Sequence, residues 1–145
     1  MLVDNILQSK GTVVYTIPSY ARLVEAVDIL NANNIGAVVV TDRSGSVIGI
    51  LSERDIVRQL GVHGPDALEM EVGDSMSSAV ITCTRTTDVA MLAERMTEFR
   101  IRHIPVVENG KLLGIVSIGD VVKRKIEETQ QEADAMRDYI SSGVG

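Results

Sequence analysis

The sequence predicts a mixed α/β (α+β) fold built from two tandem β-α-β-β-α units, with the last helix running on past the core. Gly49-Ile50-Leu51-Ser52-Glu53-Arg54-Asp55 returns as Gly114-Ile115-Val116-Ser117-Ile118-Gly119-Asp120, with the glycine, serine and aspartate each displaced by 65 residues. Repetition at a fixed interval marks a duplicated supersecondary unit. Short apolar runs at 37–40, 47–51, 104–107 and 112–116 alternate with stretches of helical periodicity. Of the 145 residues, 45% are hydrophobic and 3% aromatic, so the core is aliphatic. A half of roughly 60 residues is marginal alone and needs its partner to complete a core.

In the first copy, Thr12-Val13-Val14-Tyr15-Thr16-Ile17 is β-rich and closed by Pro18-Ser19. Ser19 is the expected cap of a helix whose face carries Leu23, Ala26, Val27 and Leu30. Asn33-Asn34 ends that helix. Ala37–Val40 and Val47–Leu51 form a hairpin around Asp42-Arg43-Ser44-Gly45. Ser52 opens the next helix, and Gly61 stops it. The second copy repeats this order: strand Ala79–Cys83, cap Thr87, helix face Val89, Leu92, Ala93 and Met96, hairpin Ile104–Val116, helix from Ser117. The interval is 66 residues before the hairpin turn and 65 after it, and such indels belong in turns. The expected organisation is an N-terminal arm over 1–11, a first repeat over 12–61, a polar linker over 62–75, a second repeat over 76–126 and a helical tail over 127–145. Ile126, Ala133, Met136 and Ile140 give the tail a weak apolar stripe, suited to a second subunit or to a solvated helix. Residues 141–145 are expected to be loose.

The net charge of −6 provides no basic field for nucleic acid. The local cluster Arg100, Arg102, Lys123, Arg124 and Lys125 leaves only a small patch of that kind. The single Cys83 excludes an internal disulfide and a Cys-based zinc site. It aligns with Ile17, which argues for a small core residue, with redox sensing as the minority reading. Residues 1–17 lack the pattern of a secretory signal, and no apolar run approaches the ~18 residues of a membrane span. A cytoplasmic, reducing compartment is expected.

Ser-x-x-Asp at a strand-to-helix turn has two readings. The serine hydroxyl and the aspartate can simply cap the helix. Alternatively, the carboxylate accepts both hydroxyls of a ribose, while serine and the first-turn N–H groups receive a phosphate.

The repeated Gly-φ-φ-Ser-x-x-Asp, the preceding Ile35-Gly36-Ala37-Val38-Val39-Val40 and Ile101-Arg102-His103-Ile104-Pro105-Val106-Val107, and the order β-α-β-β-α together resemble a tandem pair of CBS domains, or Bateman module, over nearly the whole chain. The resemblance implies two repeats packed by pseudo-two-fold symmetry, frequent dimerisation, and adenosine ligands (AMP, ADP, ATP, NADH, S-adenosylmethionine) in the cleft between the copies. It places Asp120 with Ser117 and Gly119 in one site, opposite Lys10, Gly11, Thr12, Ile35, Gly36 and Ala37. It places Asp55 with Ser52 and Arg54 in the other, with Met76, Ser77, Ser78, Val80 and Ile101. Arg102 and His103 stand where relatives contact phosphate, which favours a phosphorylated ligand such as AMP. Lys10 is a phosphate candidate or a solvated lysine. Gly119 leaves room for ribose or merely loosens the helix start.

The sequence holds no Gly-x-Ser-x-Gly, no Walker-type loop and no metal-spaced His/Cys/carboxylate set. The expectation is a non-catalytic regulatory module that signals to a separate effector protein. An NAD(H)-binding regulator of a partner such as thioredoxin and a structural dimerisation scaffold with empty clefts are the alternatives.

Overall fold

The computed structural model describes residues 1–143, so the last two residues of the expected loose end lie outside the described part. Helix α1 (Val3–Lys10) leads into strand β1 (Thr16–Ile17), helix α2 (Leu23–Asn33), strands β2 (Ala37–Thr41) and β3 (Val47–Ser52), and helix α3 (Glu53–His63). A 3-10 turn (Gly64–Glu69) and the short α4 (Val72–Ser75) follow. The second copy comprises α5 (Val89–Phe99), β4 (His103–Glu108), β5 (Lys111–Ser117) and the long α6 (Ile118–Gly143). No described helix is long and apolar enough to cross a membrane.

The two hairpins superimpose in register. Ala37 pairs with Ser52, and His103 with Ser117. Asn34 (φ 52°) and Arg100 (φ 54°) end the preceding helices in the same left-handed conformation. The Gly36 and Arg102 carbonyls accept the first N–H of α3 and α6 respectively. The tight second turn places Asn109 and Gly110 both at positive φ, as a two-residue hairpin requires.

The first strand differs between the copies. β1 pairs parallel with β2, and the Val39 N–H donates to the Tyr15 carbonyl. The strand expected over 79–83 shrinks to one parallel bridge, Cys83 with Val106. The cause is Pro105, which occupies the place of Val39 and has no N–H to offer Ile81. The run expected from Thr12 likewise begins only at Thr16.

Two segments outside the repeats complete the cores. The expected arm is helix α1. Its Val3, Ile6 and Leu7 are buried with Cys83, Leu92, Met96, Ile104, Val106 and Val116 of the second repeat. The expected surface linker instead packs on the first repeat, where Val72 is buried with Leu23, Val38 and Leu51, and Met70 and Met76 lie against the same cluster. The main-chain contacts repeat as well. Val3 N–H donates to Thr87 and Val72 N–H to Ala21; Val89 donates to Met1 and Leu23 to Met70. Leu2 bridges Asp88 as Glu71 bridges Arg22.

These bridges hold Arg22 and Asp88 extended, so α2 and α5 start after them. Ser19 and Thr87, the expected caps, lie upstream. Asp88 caps α5 by accepting from the Ala90 N–H, while the Thr87 hydroxyl accepts from the Thr84 N–H. Gly61 does not stop α3, which runs on to His63; Gly64, at φ +66° and ahead of Pro65, ends it.

Leu7→Ala empties a site 3% exposed in the second repeat's core. We expect a loss of about 3 kcal/mol in chemical denaturation, within the range for buried leucine truncation. A residue on a solvated arm would change stability by less than about 0.5 kcal/mol.

Candidate functional site

Both Ser-x-x-Asp turns close as capping boxes. The Ser52 N–H donates to Asp55 Oδ2 at 2.8 Å, and the Asp55 N–H to Ser52 Oγ at 3.4 Å. The Ser117 N–H donates to Asp120 Oδ2 at 2.8 Å, and the Asp120 N–H to Ser117 Oγ at 3.2 Å. Capping and ligand binding are compatible, because each capping bond to the carboxylate uses Oδ2. Both aspartates are half-buried at the start of a helix whose first N–H groups favour anions.

The segments that complete the cores end beside these turns. α1 delivers Lys10 to the second one: Nζ lies 2.7 Å from Asp120 Oδ2 and 2.9 Å from the Ile115 carbonyl. Burial pushes the Asp120 carboxyl up, but the Lys10 ammonium and the Ser117 N–H outweigh it and hold it below the usual carboxylate range. Gly11 follows at φ +91°, turning the chain off the helix, and Thr12 Cα lies 3.9 Å from where a Gly114 Cβ would stand. At the first turn, α4 delivers Met76 onto Gly49, whose missing Cβ makes room for the thioether. Ser77 then exchanges two main-chain hydrogen bonds with Ile50, each 3.0 Å.

The repeats meet at Gly36. A Cβ there would stand 3.2 Å from His103 Cε1 and 3.3 Å from Glu53 Oε1. The His103 imidazole is half-buried. Burial depresses its pKa, with Lys10 and Arg102 acting in the same direction and Glu53 and Asp120 opposing. Lys10, Glu53, Arg102, His103 and Asp120 thus share one charged neighbourhood at the repeat boundary. Ala37 is buried at the start of β2, while Ile35 and Ile101 pack against the first and second cores. Arg54, Arg102, Ser78 and Gly119 are exposed, and Val80 is partly covered. Cys83 is buried with its thiol pushed up to about 11 by burial, Arg95 opposing weakly, as befits a core residue.

Glu53 is the site residue that sequence reasoning missed. Its signal was its position after Ser52, at the first turn of a helix beside the sister repeat. Among the described residues no three His, Cys, Asp or Glu side chains form a group able to hold a metal.

The CBS domain family model matches twice, over residues 11–62 and 71–127. The chain is a CBS domain protein. The CBS domain-containing protein CBSX3, mitochondrial, of Arabidopsis thaliana is 37% identical over 123 residues, covering 82% of this chain and 60% of that one. This chain therefore spans about 60% of that relative's length. The structure of the CBS-domain containing protein ATU1752 from Agrobacterium tumefaciens is 44% identical, with a TM-score of 0.83 over 86% of this chain and 92% of that one. The CBS domain pair of protein MJ0100, in complex with 5′-methylthioadenosine and S-adenosyl-L-methionine, is 26% identical, with a TM-score of 0.79 over 88% of this chain and 98% of that one. No catalytic family is indicated by these matches.

The depressed His103 pKa has a consequence for stability. Unfolding restores the ordinary value near 6.5, so the unfolded chain binds the proton more readily. Stability is full above about pH 6.5 and is lost as pH falls through the depressed folded value. His103→Gln is expected to flatten that part of a denaturation-versus-pH profile. An unchanged slope would assign it to other groups.

Proposed function

We propose that this CBS pair is a regulatory module that binds an adenosine-containing ligand between its repeats, with the ribose diol on Asp120 or Asp55. The convergence of each Ser-x-x-Asp turn with a segment lying outside its own repeat carries this reading: Lys10 sits on Asp120, and Met76 and Ser77 sit on the strand that leads into the Asp55 turn. Each turn combines an ionisable acceptor, helix N–H groups for phosphate and the strand edges against which adenine can lie. The adenosine derivatives bound by the MJ0100 pair support the ligand class.

Within that class we favour AMP. Arg102 is exposed next to His103, on which Lys10 also acts, and a guanidinium fork suits a phosphate. The remaining candidate positions, from Gly11 and Thr12 through Ile35, Gly36 and Ala37 in one site and Met76, Ser77, Ser78, Val80 and Ile101 in the other, would line the base and sugar. Binding signals only if the ligand distinguishes two shapes of the module, and we place its output on a separate effector protein. Self-association is favoured by the face of α6, where Val122, Ile126, Met136 and Ile140 are all at least half exposed. A homodimer in the cytoplasm is our working assembly.

Asp120→Ala is expected to weaken AMP by ~1.5–3 kcal/mol in calorimetry, the range for hydrogen bonds to a charged group. Equal affinity in mutant and parent would remove the ribose role. Arg102→Ala should weaken AMP much more than adenosine, and an equal loss for both would take Arg102 out of the phosphate site.

A further inference from the structure

The two turns are built alike but are not charged alike. Asp55 Oδ2 accepts from the Ser52 N–H and, at 3.1 Å, from the Ser52 hydroxyl, which is neutral and free to rotate. Asp120 Oδ2 accepts from the Ser117 N–H and from the Lys10 ammonium. A carboxylate oxygen has two lone pairs, so Oδ2 of Asp120 is saturated. Oδ1 keeps both its lone pairs, so a diol that bridges the two oxygens of Asp120 competes with Lys10 for Oδ2.

The displaced ammonium is not indifferent to what displaces it. Lys10 and Asp120 are only 31% and 21% exposed at their side chains, so the pair is partly shielded from water. Arg102 and His103 are already nearby, and Glu53 is the other acidic group in that neighbourhood. An uncharged nucleoside takes the carboxylate and leaves Lys10 without its anion, with the Arg102 guanidinium in the same neighbourhood. A nucleoside monophosphate takes the carboxylate and brings a new anion on the same ribose. The flexible lysine stem can carry the charge to it while α1 stays anchored by Val3, Ile6 and Leu7.

We infer that Lys10 is a specificity residue of the Asp120 site, held on the aspartate when the site is empty and transferred to the ligand's phosphate when it is filled. The site then discriminates against uncharged nucleosides. The inference rests on the ribose role proposed for Asp120 and assigns that site its substrate class. The Asp55 site has no such lysine and discriminates less.

The test compares AMP and adenosine by titration calorimetry on the parent, Lys10→Met, Lys10→Arg and Asp120→Ala, with thermal melting to confirm that each variant is folded. In Lys10→Met, adenosine should bind more tightly and AMP more weakly, so the preference for AMP falls about tenfold or more, as loss of a charge-assisted contact implies. Lys10→Arg keeps the charge and should keep most of the preference. An unchanged preference in Lys10→Met, with AMP still weakened by Asp120→Ala, overturns the exchange and leaves the ribose role standing. Equal weakening of both ligands by Lys10→Met overturns it too, by making Lys10 merely structural. AMP binding that is indifferent to Asp120→Ala, or absent from the parent, overturns the ribose role and this inference with it.

Discussion

The hydrogen bonds from Val3 to Thr87 and from Val72 to Ala21 tie each repeat to a segment outside it. Each sheet is small: three strands in the first copy and two in the second. Neither sheet has enough apolar area on its own to complete a core. The segment before the first repeat closes the core of the second, and the segment between the repeats closes the core of the first. The repeats are therefore stabilised as a pair. The helix starts at Leu23 and Val89 follow from the same contacts, because the bridges hold the preceding residues extended.

The site inherits this arrangement. α1 ends at Lys10 and places a cation on Asp120; α4 ends at Ser75 and places Met76 on Gly49 and Ser77 beside Ile50. A segment that stabilises the fold thus also sets what stands at the Asp120 carboxylate and what covers the strand leading into the Asp55 turn. The duplicated turns gain different electrostatics from different end residues. The asymmetry of Gly36 and Arg102, which occupy equivalent places, adds to it. Gly36 leaves room for the His103 ring at the repeat boundary, whereas Arg102 points charge at solvent.

Much of this was legible in the sequence, for physical reasons. The hairpins, the helix faces and the Ser-x-x-Asp turns are local: periodicity, turn residues and a cap specify each within a few positions. The long-range exchange of segments was not legible, because α1 carries only Val3, Ile6 and Leu7 as buried residues and reads as a polar arm. A faint trace exists in Met1-Leu2-Val3 and Met70-Glu71-Val72, whose backbone contacts are equivalent. The strand over 79–83 failed for a reason in the partner strand: its own residues suit β structure, but Pro105 withdraws the donor it needs. The ion pair of Lys10 with Asp120 spans 110 residues, and no spacing rule reaches that far.

The most direct test of the central claim, an adenosine ligand held at the Ser-x-x-Asp turns, is an amide NMR titration of the full chain with AMP. Binding there would move the amide signals of Ser117 and Asp120, or of Ser52 and Asp55, together with those of Arg102 and His103, and would leave the amides of the α6 tail still. Shifts confined to the tail, or none at ligand concentrations well above those at which thermal stability responds, would contradict it.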